Sequence, residues 1–380
     1  MDQTEALIIE TIDRHREEIL EFARDIYSHA ELGYKEFQTS GKFVKKMEQL
    51  GLRTEKGFAI TGVKAYLNED KKENASLALL GELDALRIPE HAFANPETNA
   101  AHCCGHHAQM AGVFGAALAL TVPEIAEKLD GQVVFFATPA EEYGEIEFKN
   151  QLREQGKIRY GGGKCELLRI GAFDDIDLCL THHIRPGNEI LVGSGTGNGF
   201  VSKVIRVLGK ASHAAGAPEK GVNALSAASL GLQALGLNRE TFRDEDCVRV
   251  HPIITKGGNL VNVIPDEVVV ETLVRGKTIE AFTDAAKKTD RSFKAGAIAM
   301  GAKVEISTLP GYLPTLAEEA LPELKHAAEI SASGIPVIEA SGHAGGSTDV
   351  GDVQHLMPVY TFNTGGVKGG LHQIDFEVTD

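Results

Sequence analysis

Tryptophan is absent from the 380-residue chain, and aromatic residues together make up only 6% of it. Positive charge is scarce as well: 38 Lys and Arg stand against 54 Asp and Glu, a formal net charge of −16. Such a balance repels phosphate backbones and anionic lipid, which sets nucleic-acid and membrane-surface roles aside. A membrane span needs ~20 apolar residues, and the longest nearly uncharged stretch, about 108–123, is shorter and rich in Gly and Ala. The opening MDQTEALIIETIDR carries acids where a secretion signal needs a basic segment and an apolar core. Five cysteines, two of them adjacent, do not make a disulfide framework. These absences lead us to expect a protein of the reducing cytoplasm.

What the chain does have is size, ordinary polarity and histidine. One hydrophobic core usually serves up to ~250–300 residues, so 380 residues predict two domains. Hydrophobic residues at 43% and charged ones at 24% exclude disorder. Residues 4–30 read as one amphipathic helix, with Ile8, Ile12, Ile19, Ala23 and Ile26 at three-, four- and seven-residue steps. A second helix is predicted from Thr39 to Leu50, ending at Gly51. Short apolar runs follow, each ending in polar residues: SLALL before GELDAL, VVFFA before TPAEE, DLCL before THH and PVYTF before NTGG. Continuous apolar runs separated by helical stretches such as 106–120 predict strands buried on both faces of a mostly parallel sheet. Ligands of such sheets gather beyond the carboxyl ends of the strands.

The texture changes near Gly197. A β-α-β-β-α-β order runs from FVSKVIRVLGK to KVEIS, a ferredoxin-like α+β pattern flanked by the hinge-like SGTGNG and LPGYLPT. The expected organisation is therefore an α/β domain over 1–197 and 310–380, interrupted by a domain over 198–309. Residues 143–163, charged and glycine-rich, read as a loop.

Fourteen histidines, five of them within 102–183, accompany the polar clusters. In AHCCGHHAQMAG, Cys104 and His106 flank a glycine at the entry to an Ala-rich helix. A thiolate and an imidazole so placed can bind one borderline-soft cation, although an isolated pair is as readily buried packing and a helix cap. Glu141 and Glu142 follow the VVFFA run, and such a pair could divide between a metal ligand and a general base or simply face solvent. His182 and His183 follow DLCL, and His372 follows two glycines near the end. Jointly, Cys, His, Glu, His and His at sheet edges make five donors for two cations, an arrangement suited to amide hydrolysis. Asp84 in GELDAL is placed to orient a ligand histidine.

These residues resemble the dinuclear-metal aminoacylase and carboxypeptidase family of metallopeptidases, most closely its amidohydrolase branch, which includes hippurate hydrolases and auxin-conjugate hydrolases. The likeness rests on Cys104-Gly105-His106, Ala140-Glu141-Glu142, His183-Ile184-Arg185-Pro186-Gly187 and Leu371-His372, in that order along nearly the whole chain. It implies that Cys104, His106, Glu142, His183 and His372 bind two divalent cations, zinc or manganese, and that Glu141 is the general base. SHAAGAP resembles the histidine motif of the family's inserted lid domain. His213 would then stabilise the tetrahedral oxyanion, in relatives often across a dimer, while Asn262 and Arg275 would help to hold the substrate. The implied fold is a metallopeptidase domain with an inserted ferredoxin-like lid and dimerisation domain. The implied activity is hydrolysis of the amide bond of an N-acyl amino acid or short peptide by a metal-activated water, in a homodimer joined through the lid. Departures from the branch pattern are His107 for Asp, Gln109 for His, Glu82 for Asp, Arg87 for Pro, an extra His182 and a longer 143–164 segment. An inactive metal-binding homologue and an amidase using Cys104 as nucleophile are the alternative readings.

Overall fold

The computed structural model describes every residue but Ser333 and Asp380. The chain forms two units: Met1–Gly195, Leu316–Gly342 and Asp352–Asp380 make the first, and Thr196–Thr315 with His343–Gly351 make the second. The return to the first unit thus falls six residues later than position 310. The segment 343–351, placed by sequence in the first domain, packs with the second, because His343 pairs with Thr196 and its ring nitrogens reach Thr196 Oγ1 (2.9 Å) and Asn198 Oδ1 (3.2 Å).

In the first unit the sheet order is Arg53–Phe58, Gly62–Leu67, Gln132–Thr138, Ser76–Glu82, Leu178–Pro186, Val359–Lys368, Ile190–Val192 and Val337–Glu339. The four central strands, from Gln132–Thr138 to Val359–Lys368, run parallel. Every residue of Gln132–Thr138 is buried, which is why its middle, Val133–Ala137, reads as an unbroken apolar run. Helix His106–Leu120 packs against this sheet and is apolar almost all round, as a helix covered on every side must be. The fold class is the α/β arrangement expected from the sequence.

Two local readings change. The helix expected over 4–30 is two, Gln3–Arg14 and Arg16–Ser28, broken at His15, whose ring bonds Glu18 at 3.1 Å and opens a new first turn bearing Glu17 and Glu18. The apolar period runs straight through this one-residue break and so conceals it. The expected loop 143–163 contains helix Ile146–Glu154, which buries only Ile146, Lys149 and Leu152 and hides among charges.

The second unit is an antiparallel sheet in the order Arg249–Val250, Glu267–Gly276, Gly199–Leu208, Lys303–Pro310, with Ile253–Lys256 also on Glu267–Gly276. Helices Ala224–Asn238 and Ile279–Ala299 cover one face. They approach so closely that a Cβ on Gly296 would lie 2.4 Å from the Ala227 carbonyl oxygen, which explains the small residues of that segment.

Candidate metal centre

Cys104 and His106 follow Ala100–Ala101, which pairs antiparallel with Leu86–Arg87, whereas each other cluster singled out in the first unit lies at or just beyond the carboxyl end of a parallel strand. Asp84 follows Ser76–Glu82, Glu141 and Glu142 follow Gln132–Thr138, His183 lies within Leu178–Pro186, and His372 follows Val359–Lys368. Gly105 adopts φ +92° immediately before helix His106–Leu120, and a Cβ there would sit 2.3 Å from Ile184, so only glycine lets the chain turn from Cys104 into His106.

Cys104 Sγ is the hub. It lies 3.4 Å from His183 Nε2 and 3.4 Å from His372 Nε2. His372 Nε2 is in turn 3.1 Å from Glu142 Oε1. His106 Nδ1 lies 2.8 Å from the Asp84 carbonyl oxygen, and His183 Nδ1 lies 2.7 Å from the Ile184 carbonyl oxygen. A carbonyl only accepts, so both Nδ1 atoms carry the proton and both Nε2 atoms present lone pairs, the tautomer that a metal requires. Three overlapping groups have donor atoms within 4.8 Å of one another and could each hold an ion: Cys104, His106 and His183; Cys104, Glu142 and His372; and Glu82, His106 and Glu141. His106 Nε2 and Glu142 Oε1 are buried without an assigned hydrogen-bond partner, and Glu82 Oε2 and His372 Nε2 respectively approach them to 3.1 Å. Orphaned nitrogen and oxygen atoms beside a buried thiol fit divalent cations.

The electrostatics agree. Burial opposes charge on His106, yet the Cys104 thiol and the Glu82 carboxylate outweigh it and hold the ring well above its ordinary pKa. Burial and neighbouring Glu142 push the Cys104 thiol up. The cluster is short of positive charge, which His106 can supply only by taking a second proton.

The neighbouring backbone is held by two buried carboxylates. Asp84 accepts from the N–H groups of Glu141 (3.1 Å) and Glu142 (2.9 Å), and Glu36 accepts from Ala140 N–H (2.8 Å) and Thr61 Oγ1 (2.7 Å). Ala140 takes a left-handed φ of +50°, a strained setting that these bonds secure. Burial, helped by Asp84, lifts Glu36 from 4.5 to about 7. The folded state therefore keeps a proton that the unfolded chain releases, so this stabilisation is complete below pH 4.5 and is lost as pH rises through 7. Glu36→Gln mimics the protonated form, its carbonyl accepting from Ala140 and its amide donating to Thr61. We expect wild-type stability to fall by about 3 kcal/mol relative to the variant between pH 5 and 8, and parallel denaturation profiles would dismiss Glu36 as the titrating group.

A profile of peptidase family M20/M25/M40 matches residues 78–380. The chain belongs to this family. It is 28% identical over 359 residues to the Xaa-Arg dipeptidase of Mus musculus, covering 92% of this chain and 77% of that one. To the IAA-amino acid hydrolase ILR1-like 2 of Arabidopsis thaliana it is 30% identical over 272 residues, covering 70% of this chain but only 56% of that one. The structure of the Bacillus subtilis YXEP protein, described as a dinuclear metal binding peptidase from the M20 family, superposes with a TM-score of 0.64 at 23% identity, covering 97% of this chain and 94% of that one. The amidohydrolase resemblance read from the motifs therefore stands, as does the class of metal-dependent hydrolase.

Within this M20 chain the structure also separates the two adjacent histidines. Successive strand residues face opposite ways, so His183 faces Cys104 while His182 bonds Thr364 Oγ1 at 2.8 Å and stacks on Phe362. His107, beside the Cys-Gly-His motif, packs between Tyr27 and His102 and is held down to about 3 by burial, with His106 adding to the shift. Of the five histidines in 102–183, only His106 and His183 join the candidate metal groups among the described residues.

The second unit carries the remaining expected residues. His213 Nδ1 accepts from the N–H groups of Ala215 (3.2 Å) and Gly216 (2.9 Å), so its Nε2 bears the proton and can donate. Ala214 N–H donates to the Asn262 carbonyl at 3.0 Å, which brings the His213 and Asn262 loops together. Arg275 is elsewhere, over the Phe200 ring at 5.8 Å and eight residues along the strand that starts at Glu267, about 26 Å at the usual rise per residue. Sequence reasoning overlooked Glu36 and Lys164, and it noted Glu82 only as a departure. Lys164 is fully buried with its ammonium 2.6 Å from Glu82, although a lysine after three glycines reads as a surface residue.

Proposed function

We propose that this protein cleaves the amide bond of an N-acyl amino acid or a short peptide, using two divalent cations, zinc or manganese, on Cys104, His106, Glu142, His183 and His372. The observation that carries this reading is the hub geometry: Cys104 Sγ lies 3.4 Å from two imidazole Nε2 atoms, and His106 and His183 have their other nitrogens committed to backbone carbonyls. When bound, the cations polarise the scissile carbonyl and acidify water. Glu141, buried and fixed through its backbone N–H to Asp84, accepts the proton of the attacking water and returns it to the leaving amine as the C–N bond breaks. Asp84 positions: its backbone carbonyl sets the His106 tautomer and its carboxylate sets the Glu141–Glu142 turn. His213, with a proton on Nε2, is suited to donate to the oxyanion.

The proposed assembly is a homodimer formed through the second unit, with Asn262 and Arg275 helping to hold the substrate. The five cysteines, none in a disulfide, suit a reducing, cytoplasmic setting, and no helix among the described residues is long and apolar enough to cross a membrane. The raised Cys104 thiol speaks against a cysteine nucleophile, which needs a lowered pKa.

The test is a panel of N-acyl amino acids and dipeptides, assayed with and without chelator alongside metal analysis. We expect activity to vanish on metal removal and to return with zinc or manganese. Full activity in metal-stripped protein would overturn the reading.

A further inference from the structure

Glu82 and Lys164 stand outside the residues assigned above, yet they are built into the same cluster of buried side chains. Glu82 ends the strand Ser76–Glu82, Lys164 lies in the first turn of helix Gly163–Arg169, and both are buried. The two carboxylate oxygens of Glu82 have different surroundings. Oε1 accepts from Lys164 Nζ at 2.6 Å, and Oε2 lies 3.1 Å from His106 Nε2. His106 Nδ1 gives its proton to the Asp84 carbonyl, so Nε2 and Oε2 can share this buried 3.1 Å contact only with a positive species between them, either a second ring proton or a cation. Such a contact, with Nε2 lacking any hydrogen-bond partner, calls for positive charge beside it. Glu141 completes a buried set with these two residues, all donor atoms within 4.8 Å. Lys164 donates to Oε1, the oxygen away from His106. This holds the carboxylate so that Oε2 stays turned toward His106.

We infer that Glu82 is a further oxygen ligand of the cation on His106, with Lys164 as the residue that positions its carboxylate. The inference rests on the two-metal reading above. An added carboxylate oxygen makes that position harder than sulfur and nitrogen alone would, and so favours manganese retention.

The test is manganese binding to metal-stripped protein, followed by calorimetry and by the Mn(II) paramagnetic resonance signal, with folding checked by circular dichroism. Wild type is expected to take two ions. Glu82→Gln should weaken one of them at least tenfold and leave the other unchanged. Glu82→Asp, which keeps the charge for Lys164 but withdraws from His106, should do the same, and it decides the matter if the Gln variant does not fold. Lys164→Met should weaken that same ion; a lower melting temperature with affinity intact would deny Lys164 its positioning role. Two ions bound with wild-type affinity in the Glu82 variants would overturn this inference alone. No ion bound by wild type would overturn the two-metal reading and this inference with it.

Discussion

Glu141→Gln is expected to lower kcat by roughly 10²–10⁴-fold, the usual contribution of a positioned general base, while both cations remain bound. The amide fills the same volume and leaves the backbone N–H on Asp84 in place, so the turn that carries Glu142 keeps its shape. What disappears is an oxygen able to accept a proton from water at neutral pH. Removing the base alone should change KM little, because the carbonyl is still polarised in the ground state. Steady-state kinetics with metal analysis on the same sample separates the possibilities. Near wild-type kcat at full metal content would remove Glu141 from the mechanism, and lost activity with lost metal would make it a ligand instead.

Cys104→Ala should produce the largest change in metal content. Cys104 is shared by the group with His106 and His183 and by the group with Glu142 and His372. Losing one sulfur therefore damages both positions, and we expect affinity at each to fall by roughly a hundredfold or more, beyond the 10–100-fold typical of losing an outer partner. His372→Ala should weaken only the ion shared with Glu142, and His183→Ala only the ion shared with His106. Titration of each metal-stripped variant with zinc reads this directly. If Cys104→Ala loses a single ion, the thiol is not shared and the hub assignment is wrong.

Much of this was legible in the residues, and the boundary of legibility is physical. Apolar runs mark the central strands because a strand buried on both faces carries apolar side chains along its middle, as Val133–Ala137 illustrates. Cys104, His106, Glu142, His183 and His372 stand out only together and through the family motifs they resemble, since each alone reads as readily as buried packing, a helix cap or a solvated surface. Glu36 gives no signal: it lies 104 residues from Ala140, and only the fold makes its carboxylate the acceptor of that N–H. The Lys164–Glu82 pair is equally silent, since 82 residues separate partners that individually look solvated. The break at His15 escapes because one altered dihedral pair leaves the apolar period intact. Periodicity and motifs report what each residue does locally. Partnerships between distant polar residues appear only when the chain has closed.

The hub geometry has a consequence for how the protein is made. His372 enters the chain 268 residues after Cys104, with the entire second unit in between. At roughly 5–20 residues per second, a ribosome takes about 13–54 s to cover that distance. Once His183 has emerged, 79 residues after Cys104, the nascent chain carries a thiol and two imidazoles without the carboxyl-terminal imidazole needed to complete the cage. Any ion captured early meets an open, exchangeable set of donors. Selection of the metal is therefore deferred to the end of translation, when the pool of ions around the finished chain, rather than the order of synthesis, decides which one stays.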